Sequence, residues 1–359
     1  MLVRTLALTD FRNYVQADLE FAAGCTAIVG ANGQGKTNIA EALSYLASLL
    51  SFRGAPSDAL VRTGATEAFV RATVVHDDGR EMLIEAQIVT AGRSRVQVNR
   101  QRLARARDLL GVLRVSVFSP DDLVMVKGGP SQRRSYLDDT LVALSARHDR
   151  LRTDLDRVLK QRASLLKQAG GRLSSDMAFT LDVWDTKLAE IADTLGRERA
   201  ALVAQLEPLV VKSYAALAGE VQPVSMSYAP AWLADGGLAP ALVASRADDV
   251  RRMSTTVGPH RDDLDVTLNG LATRTHASQG EQRTMALALR LAAHQLVTEH
   301  HTEAPVLVLD DVFSELDPDR SRALLANLPN GQVVITTASV LPEGASPDKV
   351  MRIVDGAVV

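Results

Sequence analysis

Apolar and polar residues alternate in four segments along the first part of the chain. The alternation runs through residues 2–8 and 15–21, and again through residues 68–75 and 81–89 on either side of an Asp-Asp-Gly turn at 77–79. A period of two residues predicts strands that bury one face. An Asp-Gly turn between two such strands predicts a β-hairpin.

The middle of the chain has a different period. From residue 130 to about residue 219, apolar residues recur every three or four positions, which predicts helices. Two such stripes are joined by Gly170-Gly171, so we expect an antiparallel helical hairpin, paired within the chain in preference to a dimerising coiled coil. Gly196 and Pro208 fall inside the second stripe and predict a kink or a break there.

Short apolar runs return on the far side of the helical region. Strands are predicted at residues 112–118, 221–228, 263–268, 304–311, 332–337 and 349–355, and helices at 238–253 and from 278 to about 300. The expected fold class is therefore α/β. We expect a mainly helical arm domain, residues 130–254, inserted into a discontinuous domain of residues 1–129 and 255–359.

Composition excludes several classes of protein. The net charge of the 359 residues is -3, so any basic surface must be local, and aromatic residues make up only 4%, which argues against base stacking as the main binding mode. Cys25 is the single cysteine, which excludes disulfides and a cysteine-ligated zinc site and fits a reducing cytoplasm. No apolar run approaches ~18 residues, so we expect no transmembrane helix, and the first residues show no signal peptide.

A phosphate-binding loop follows a short apolar, β-branched run at residues 25–29, and helical spacing begins directly after it. The pattern G-x-x-x-x-G-K-[ST] is formed by Gly30, Ala31, Asn32, Gly33, Gln34, Gly35, Lys36 and Thr37. In such a loop the backbone N–H groups face the phosphates of ATP, the lysine reaches the β- and γ-phosphates, and the Thr37 hydroxyl ligates Mg²⁺. The strand before the loop and the helix after it favour this interpretation over a plain glycine turn.

Two acids end the apolar run at residues 304–309. Asp310 is the first acid after a strand that should be buried, and we expect it to hold Mg²⁺ directly or through water. Asp311 follows it and is expected to orient or deprotonate the attacking water, so that Lys36 and Asp311 are the candidate catalytic residues. A plain strand end is the alternative, and it loses weight because the same chain carries the phosphate-binding loop.

A second helix start resembles an anion-binding site. The segment consists of Ser278, Gln279, Gly280, Glu281 and Gln282. Ser278 is a good N-cap, and Gly280 would allow a phosphate close to the backbone, although the spacing of Ser278 and Glu281 also fits a simple capping box. One nucleotide is not easily held by two distant helix ends of one domain. We therefore expect this segment to act as a signature that contacts the nucleotide of a second protomer.

Six arginines follow the predicted hairpin without an intervening acid, at Arg93, Arg95, Arg100, Arg102, Arg105 and Arg107. They are the best contiguous candidates for contacts to DNA phosphates. A solvated hairpin and loop is an equally good interpretation of the same residues.

Several motifs together resemble the RecF family of bacterial recombination mediators. They are Phe11-Arg-Asn-Tyr14, the loop at residues 30–38, Ser51-Phe-Arg53, Gly258-Pro-His-Arg-Asp-Asp263, the segment at residues 278–282, and Leu309-Asp-Asp-Val-Phe-Ser-Glu-Leu-Asp317. The resemblance extends from end to end of the chain and implies an ABC/SMC-type P-loop ATPase head with a short arm. It also implies that Arg12 and Asn13 contact the nucleotide and that residues 314–317 form a D-loop.

The resemblance further implies a cellular role. A member of this family is expected to dimerise on ATP, bind double-stranded and gapped or single-stranded DNA, and hydrolyse ATP slowly with stimulation by DNA. It is expected to work with RecO and RecR to load RecA in recombinational repair, replication restart and the SOS response, in the cytoplasm and without a membrane partner. The alternatives are an SMC-like adaptor that binds ATP without turnover and an ABC transporter ATPase subunit.

Two departures from the wider ABC pattern favour slow turnover. Asp311 stands where a catalytic glutamate is usual, and Thr336 and Thr337 stand where a switch histidine is expected. No glutamine of a Q-loop is assigned, and the sensor of the γ-phosphate is left open.

Overall fold

The computed structural model describes residues 1–338 and 341–359, and these divide into two compact units. Unit 1 consists of residues 1–123, 212–221 and 283–359, and unit 2 consists of residues 124–211 and 222–282. The expected boundaries at 129/130 and 254/255 stay a prediction. The compact units change at 123/124, 211/212, 221/222 and 282/283.

Fifteen strands are found in the described part of the chain. In chain order they are β1 (Leu2–Phe11), β2 (Tyr14–Glu20), β3 (Cys25–Val29), β4 (Glu67–Val75), β5 (Glu81–Val89), β6 (Arg95–Val98), β7 (Gln101–Arg102), β8 (Val115–Phe118), β9 (Val224–Ser227), β10 (Asp265–Leu268), β11 (Leu271–Ala272), β12 (Val306–Asp310), β13 (Val333–Thr337), β14 (Lys349–Val354) and β15 (Ala357–Val358).

Ten α-helices accompany the strands over the same described residues. They are α1 (Lys36–Ser48), α2 (Val124–Lys127), α3 (Pro130–Leu144), α4 (Arg147–Ala169), α5 (Ser175–Ala218), α6 (Ala231–Ala234), α7 (Leu238–Arg252), α8 (Thr273–His276), α9 (Gln279–His301) and α10 (Pro318–Ala326). Short 3-10 turns occur at Ser57–Leu60, Ala106–Leu109, Pro120–Leu123 and Val312–Glu315.

Unit 1 contains two six-stranded sheets. The first is antiparallel, in the order β2-β1-β4-β5-β6-β7, and its alternating residues bury one face as the sequence predicts. The second has the order β15-β14-β3-β13-β12-β8, and every pair except β14–β15 is parallel. Because the carboxyl ends of parallel strands share one edge, the residues that follow β3, β12 and β13 meet there.

Unit 2 is mainly helical. The expected hairpin is confirmed: α4 and α5 are joined through Gly170 and Gly171, and Leu166 packs against Leu181. The fully buried Arg162 forms an ion pair with Asp185 on the opposing helix, at 2.7 Å. A three-stranded sheet, β11-β10-β9, completes the unit.

The helices differ from the simplest interpretation of the two stripes at two places. The first stripe is interrupted, because Ser145 is extended and ends α3 before α4 begins. The second helix is not broken: α5 runs for 44 residues through Pro208, about 66 Å at ~1.5 Å per residue. At Gly196 a Cβ would lie 2.6 Å from the Trp232 ring, so this glycine permits close packing and does not end the helix.

By length and composition alone, α5 is apolar enough to cross a membrane. A single such helix is weak support for a membrane span, since the core helix of a folded domain passes the same test. Leu202, Leu206 and Val210 are buried along the helix, and 33% of its most apolar window is buried.

Candidate functional site

The loop at residues 30–37 leaves β3 and enters α1 at the shared edge of the parallel sheet. Two of its glycines have steric reasons to be there. A Cβ on Gly30 would lie 2.4 Å from the Ile353 carbonyl oxygen, and Gly35 has a φ of 111° with the Tyr14 hydroxyl close to where a Cβ would stand. No other residue fits both the backbone angle and the space at Gly35. The Lys36 ammonium donates to the Ala31 carbonyl at 2.8 Å and so lies folded over the loop.

Two acidic groups influence the charge of the Lys36 side chain. Burial lowers the pKa of Lys36, while the charges of Asp311 and Asp310 oppose that shift. The lysine expected to contact phosphate and the two acids expected to act with it therefore occupy one region of unit 1.

Asp310 ends β12, whose five residues are all buried. The Thr37 hydroxyl donates to Asp310 Oδ1 at 3.0 Å, across 273 residues of sequence. Burial raises the pKa of Asp310, and hydrogen bonds from Thr336 and Thr37 oppose the increase. The two residues expected to hold Mg²⁺ are thus in direct contact.

This donor set fits Mg²⁺. A hydroxyl and a carboxylate are hard oxygen ligands, and Mg²⁺ usually keeps several waters and takes only one or two protein groups together with phosphates. Among the described residues, no group of three His, Cys, Asp or Glu side chains could hold a metal by itself. One hydroxyl and one carboxylate suit a metal that arrives with a nucleotide, since phosphate oxygens and waters would complete its coordination.

Asp311 has a different setting from its neighbour. Its backbone is left-handed, with a φ of 51°, and its Oδ2 accepts from the Ser314 hydroxyl at 3.1 Å. Asp311 is only half-buried. The change in backbone conformation at the end of β12 separates the two acids, so Asp310 contacts Thr37 while Asp311 faces the turn that follows.

Asn13 and Tyr14 brace the loop from the β1–β2 turn. Asn13 Nδ2 donates to the Gln34 carbonyl at 3.0 Å, Asn38 donates to Asn13 Oδ1 at 2.7 Å, and the Tyr14 hydroxyl donates to the Gly35 carbonyl at 3.0 Å. The family resemblance implies that Asn13 contacts nucleotide. In the structure its side chain is engaged with the loop that would do so.

Arg12 is directed into the protein. Its Nε and Nη2 each donate to the fully buried Glu41 at 2.7 Å, and Nη1 donates to the Ala59 carbonyl. Sequence reasoning missed Glu41, although an acid among the apolar residues of α1 is a visible signal. The expectation that Arg12 contacts nucleotide stays a prediction, and its observed side-chain contacts are to α1 and to the 3-10 turn at Ser57–Leu60.

Arg53 is a second residue that sequence reasoning left without a role. It is exposed, and its charge acts to lower the pKa of Asp310. Its backbone N–H donates to Ser51 Oγ, and that hydroxyl in turn donates to Glu41. The backbone of Arg53 is thus tied through Ser51 to Glu41, and its charge acts on Asp310.

The signature segment, Ser278–Gln282, belongs to unit 2. Its capping box is present: Ser278 N–H donates to Glu281 Oε2 at 2.7 Å, and Glu281 N–H donates to Ser278 Oγ at 3.3 Å. Gln282 is buried and its amide donates to the carbonyls of Thr273 and Arg274. Ser278 and Gln279 are exposed, whereas Gln282 serves to fix the segment to α8.

All six candidate DNA-binding arginines are exposed. They lie before and along the β6–β7 hairpin, at the edge of the antiparallel sheet, and in the 3-10 turn that follows it. Arg105 pairs with Asp108 at 3.2 Å. The set forms a continuous basic stretch in unit 1, and its contact with DNA stays a prediction.

In the expected D-loop, Asp317 accepts from the Arg320 N–H at 2.8 Å as the N-cap of α10, and Glu315 pairs with Arg283.

Comparison with known proteins identifies the family. The family model described as "RecF/RecN/SMC N terminal domain" matches residues 2–355. A protein named "DNA replication and repair protein RecF" from Streptomyces avermitilis is 42% identical over 354 residues, covering 95% of this chain and 94% of that protein. One of the same name from Frankia alni is 44% identical, covering 93% and 92%.

Comparison with solved structures supports the same family assignment. A structure described as the recombination mediator protein RecF with ATP in the RecFOR pathway has a TM-score of 0.91 and 32% identity, covering 99% of this chain and 96% of that one. The Smc head domain of Pyrococcus furiosus has a TM-score of 0.59 at 18% identity, covering 99% and 94%, and shares the fold. The expected ABC/SMC-type ATPase head fold is confirmed, and the chain belongs to the RecF family.

Proposed function

We propose that this chain is an ATP-dependent, DNA-binding recombination mediator that uses slow ATP hydrolysis as a switch. The observation that carries the proposal is the contact between Thr37 and Asp310 beside Lys36, in a chain that belongs to the RecF family. Its support also includes the similarity to a RecF structure described as containing ATP.

Nucleotide binding would use the loop at residues 30–37. Its N–H groups and the start of α1 face the phosphates, and Lys36 exchanges the Ala31 carbonyl for a phosphate oxygen. Thr37 and Asp310 would hold Mg²⁺, which neutralises charge on the β- and γ-phosphates when bound. Arg53 would add a positive charge on the same side.

Hydrolysis would depend on Asp311. This carboxylate is next to Asp310 but held apart from it by the left-handed backbone, so it is able to orient or deprotonate water. Its side chain is one methylene shorter than the usual glutamate, which favours slow turnover. Stimulation by DNA belongs to the same proposal.

Dimerisation would complete the site. Ser278, Gln279, Gly280 and Glu281 would contact the nucleotide of the second protomer, and Gln282 would hold them in place from within unit 2. The exposed arginines from Arg93 to Arg107 would contact the phosphates of double-stranded and gapped DNA. In the cytoplasm the complex would act with RecR and RecO, and through them on RecA, in repair, replication restart and the SOS response.

The deciding experiment is to size the protein with ATP, with ADP and without nucleotide, each with and without gapped DNA. We expect a dimer with ATP, and a monomer with ADP or without nucleotide. Gapped DNA should lengthen the lifetime of the ATP-dependent dimer. Lys36→Met is the control, because it removes a charge-assisted phosphate contact from an unchanged fold. A protein that stays monomeric with ATP contradicts the proposal.

Two alternatives are separated by simple measurements. An SMC-like adaptor would dimerise with ATP but release no phosphate with or without DNA. A transporter ATPase subunit would copurify with membranes and would need no DNA.

A further inference from the structure

Thr336 lies near the end of β13, between β12 and β3 in the parallel sheet. It pairs with Asp310 on one side and with Ile28 on the other, and its side chain is fully buried. Its hydroxyl donates to Asp310 Oδ1 at 2.6 Å and accepts from the Asp311 N–H at 3.2 Å. One buried hydroxyl therefore contacts both consecutive acids.

The contact on Asp310 restricts its carboxylate. Thr37 and Thr336 both donate to the same oxygen, Oδ1, from two different elements. Two donors on one oxygen fix the rotation of the carboxylate. The direction of the second oxygen is thereby set as well.

The contact on Asp311 restricts the backbone. The Asp311 N–H also donates to the Thr336 carbonyl at 3.0 Å, so Thr336 binds this N–H with two acceptors. Asp311 has a left-handed φ of 51°, a conformation that is uncommon outside glycine. Thr336 thus holds the turn that separates the two acids.

A buried hydroxyl is costly unless it is hydrogen-bonded. The three preceding residues of β13 are Val333, Val334 and Ile335, and a valine at position 336 would suit the strand equally well. The hydroxyl must therefore be explained by its partners, which are the two acids.

We propose that Thr336 is a positioning residue that orients Asp310 toward the metal and holds Asp311 away from it. This inference rests on the proposed nucleotide site. It gives a role to the position where a switch histidine was expected, and the role is to position the acids from inside the sheet.

The test compares Thr336→Val, which keeps the shape and removes the hydroxyl, with Thr336→Ser, which keeps the hydroxyl. The measured quantity is the ratio of the affinity for a non-hydrolysable ATP analogue with Mg²⁺ to that in EDTA. We expect Thr336→Val to lower this ratio about tenfold, as a lost hydrogen bond to a charged group would. Thr336→Ser should restore most of it.

Thr26→Val is the matched control. Thr26 is also buried, lies on the neighbouring strand β3, and uses its hydroxyl to accept from the Ala22 N–H at 2.9 Å. It should lower thermal stability and leave the Mg²⁺ ratio unchanged. A purely structural role for Thr336 would give the same result as this control.

The outcomes are distinct. If the unchanged protein gains affinity from Mg²⁺ and Thr336→Val gains as much, the inference on Thr336 is overturned alone. If the unchanged protein shows no Mg²⁺-dependent binding, the proposed function fails and this inference fails with it. Should Thr336→Val not fold, Thr336→Ala and Thr336→Ser still differ only by the hydroxyl, and equal ratios for that pair refute the inference.

Discussion

Glu41→Gln is expected to destabilise unit 1 strongly. Glu41 is fully buried in α1 and accepts two hydrogen bonds from Arg12, each at 2.7 Å, and one from the Ser51 hydroxyl. Glutamine has nearly the same shape but no charge, and its NH₂ group would face the donors of Arg12. The guanidinium would then lie in a mostly buried place without its counter-charge.

The exposure of Arg12 sets the expected loss in the free energy of unfolding. Removing one partner of a buried ion pair costs about 3–5 kcal/mol. Arg12 keeps 19% side-chain exposure and a bond to the Ala59 carbonyl, so the lower end, about 3 kcal/mol, applies. For a unit of about 200 residues this corresponds to a fall of roughly 6–12 °C in melting temperature.

Thermal and urea unfolding measure this cost, with Glu85→Gln as the control. Glu85 pairs with Arg71, whose side chain is 50% exposed, and such a pair contributes at most about 1 kcal/mol. The double variant Arg12→Met with Glu41→Leu should lose less stability than Glu41→Gln, because no unpaired charge remains. Equal unfolding of Glu41→Gln and Glu85→Gln would refute the reasoning.

Four further predictions address the proposed site. Asp311→Asn should bind ATP, hydrolyse it more slowly and stay longer as a dimer on DNA, whereas Asp310→Asn should weaken Mg²⁺-dependent binding. Phosphate release measures the turnover, and a rate in Asp311→Asn equal to that of the unchanged protein would exclude a role of Asp311 in hydrolysis. Ser278→Arg should bind ATP yet remain monomeric in sizing experiments, and a normal ATP-dependent dimer would contradict the sandwich. Arg53→Ala should weaken binding of ATP more than of ADP if its charge faces the γ-phosphate; equal losses in a titration of both nucleotides would remove that assignment. Neutralising the exposed arginines should flatten the salt dependence of duplex binding by roughly 0.9 per phosphate contact, and an unchanged slope would move the DNA surface elsewhere.

The sequence predicts those parts of the site whose residues are contiguous along the chain. The loop at residues 30–37 and the acids after β12 are both local, and the shared edge of a parallel sheet explains why Thr37 meets Asp310. The side-chain partners of these residues are not local. Glu41 with Arg12, and Thr336 with both acids, depend on tertiary packing that no periodicity records.

Tertiary packing also decides the length of α5 and the role of Gln282, and neither can be predicted from local sequence. Propensity predicts a break at Pro208, but packing along a 44-residue helix overrides a single unfavourable residue. Gln282 belongs to a motif by its position, and only the fold shows that its amide is used inside unit 2.

The position of β3 in its sheet has a consequence for synthesis of the chain on the ribosome. Its two neighbours, β13 and β14, come from residues 333–354, about 300 residues later than the strand that carries the phosphate-binding loop. The intervening helices can form earlier from local contacts. Until β13 and β14 are made, both edges of β3 are unpaired, and the strand that precedes the loop is not held in a sheet. A nascent chain that stops short of residue 333 would therefore contain every residue of the loop but lack the strands that hold β3 in its sheet. The proposed nucleotide site would then form only late in translation.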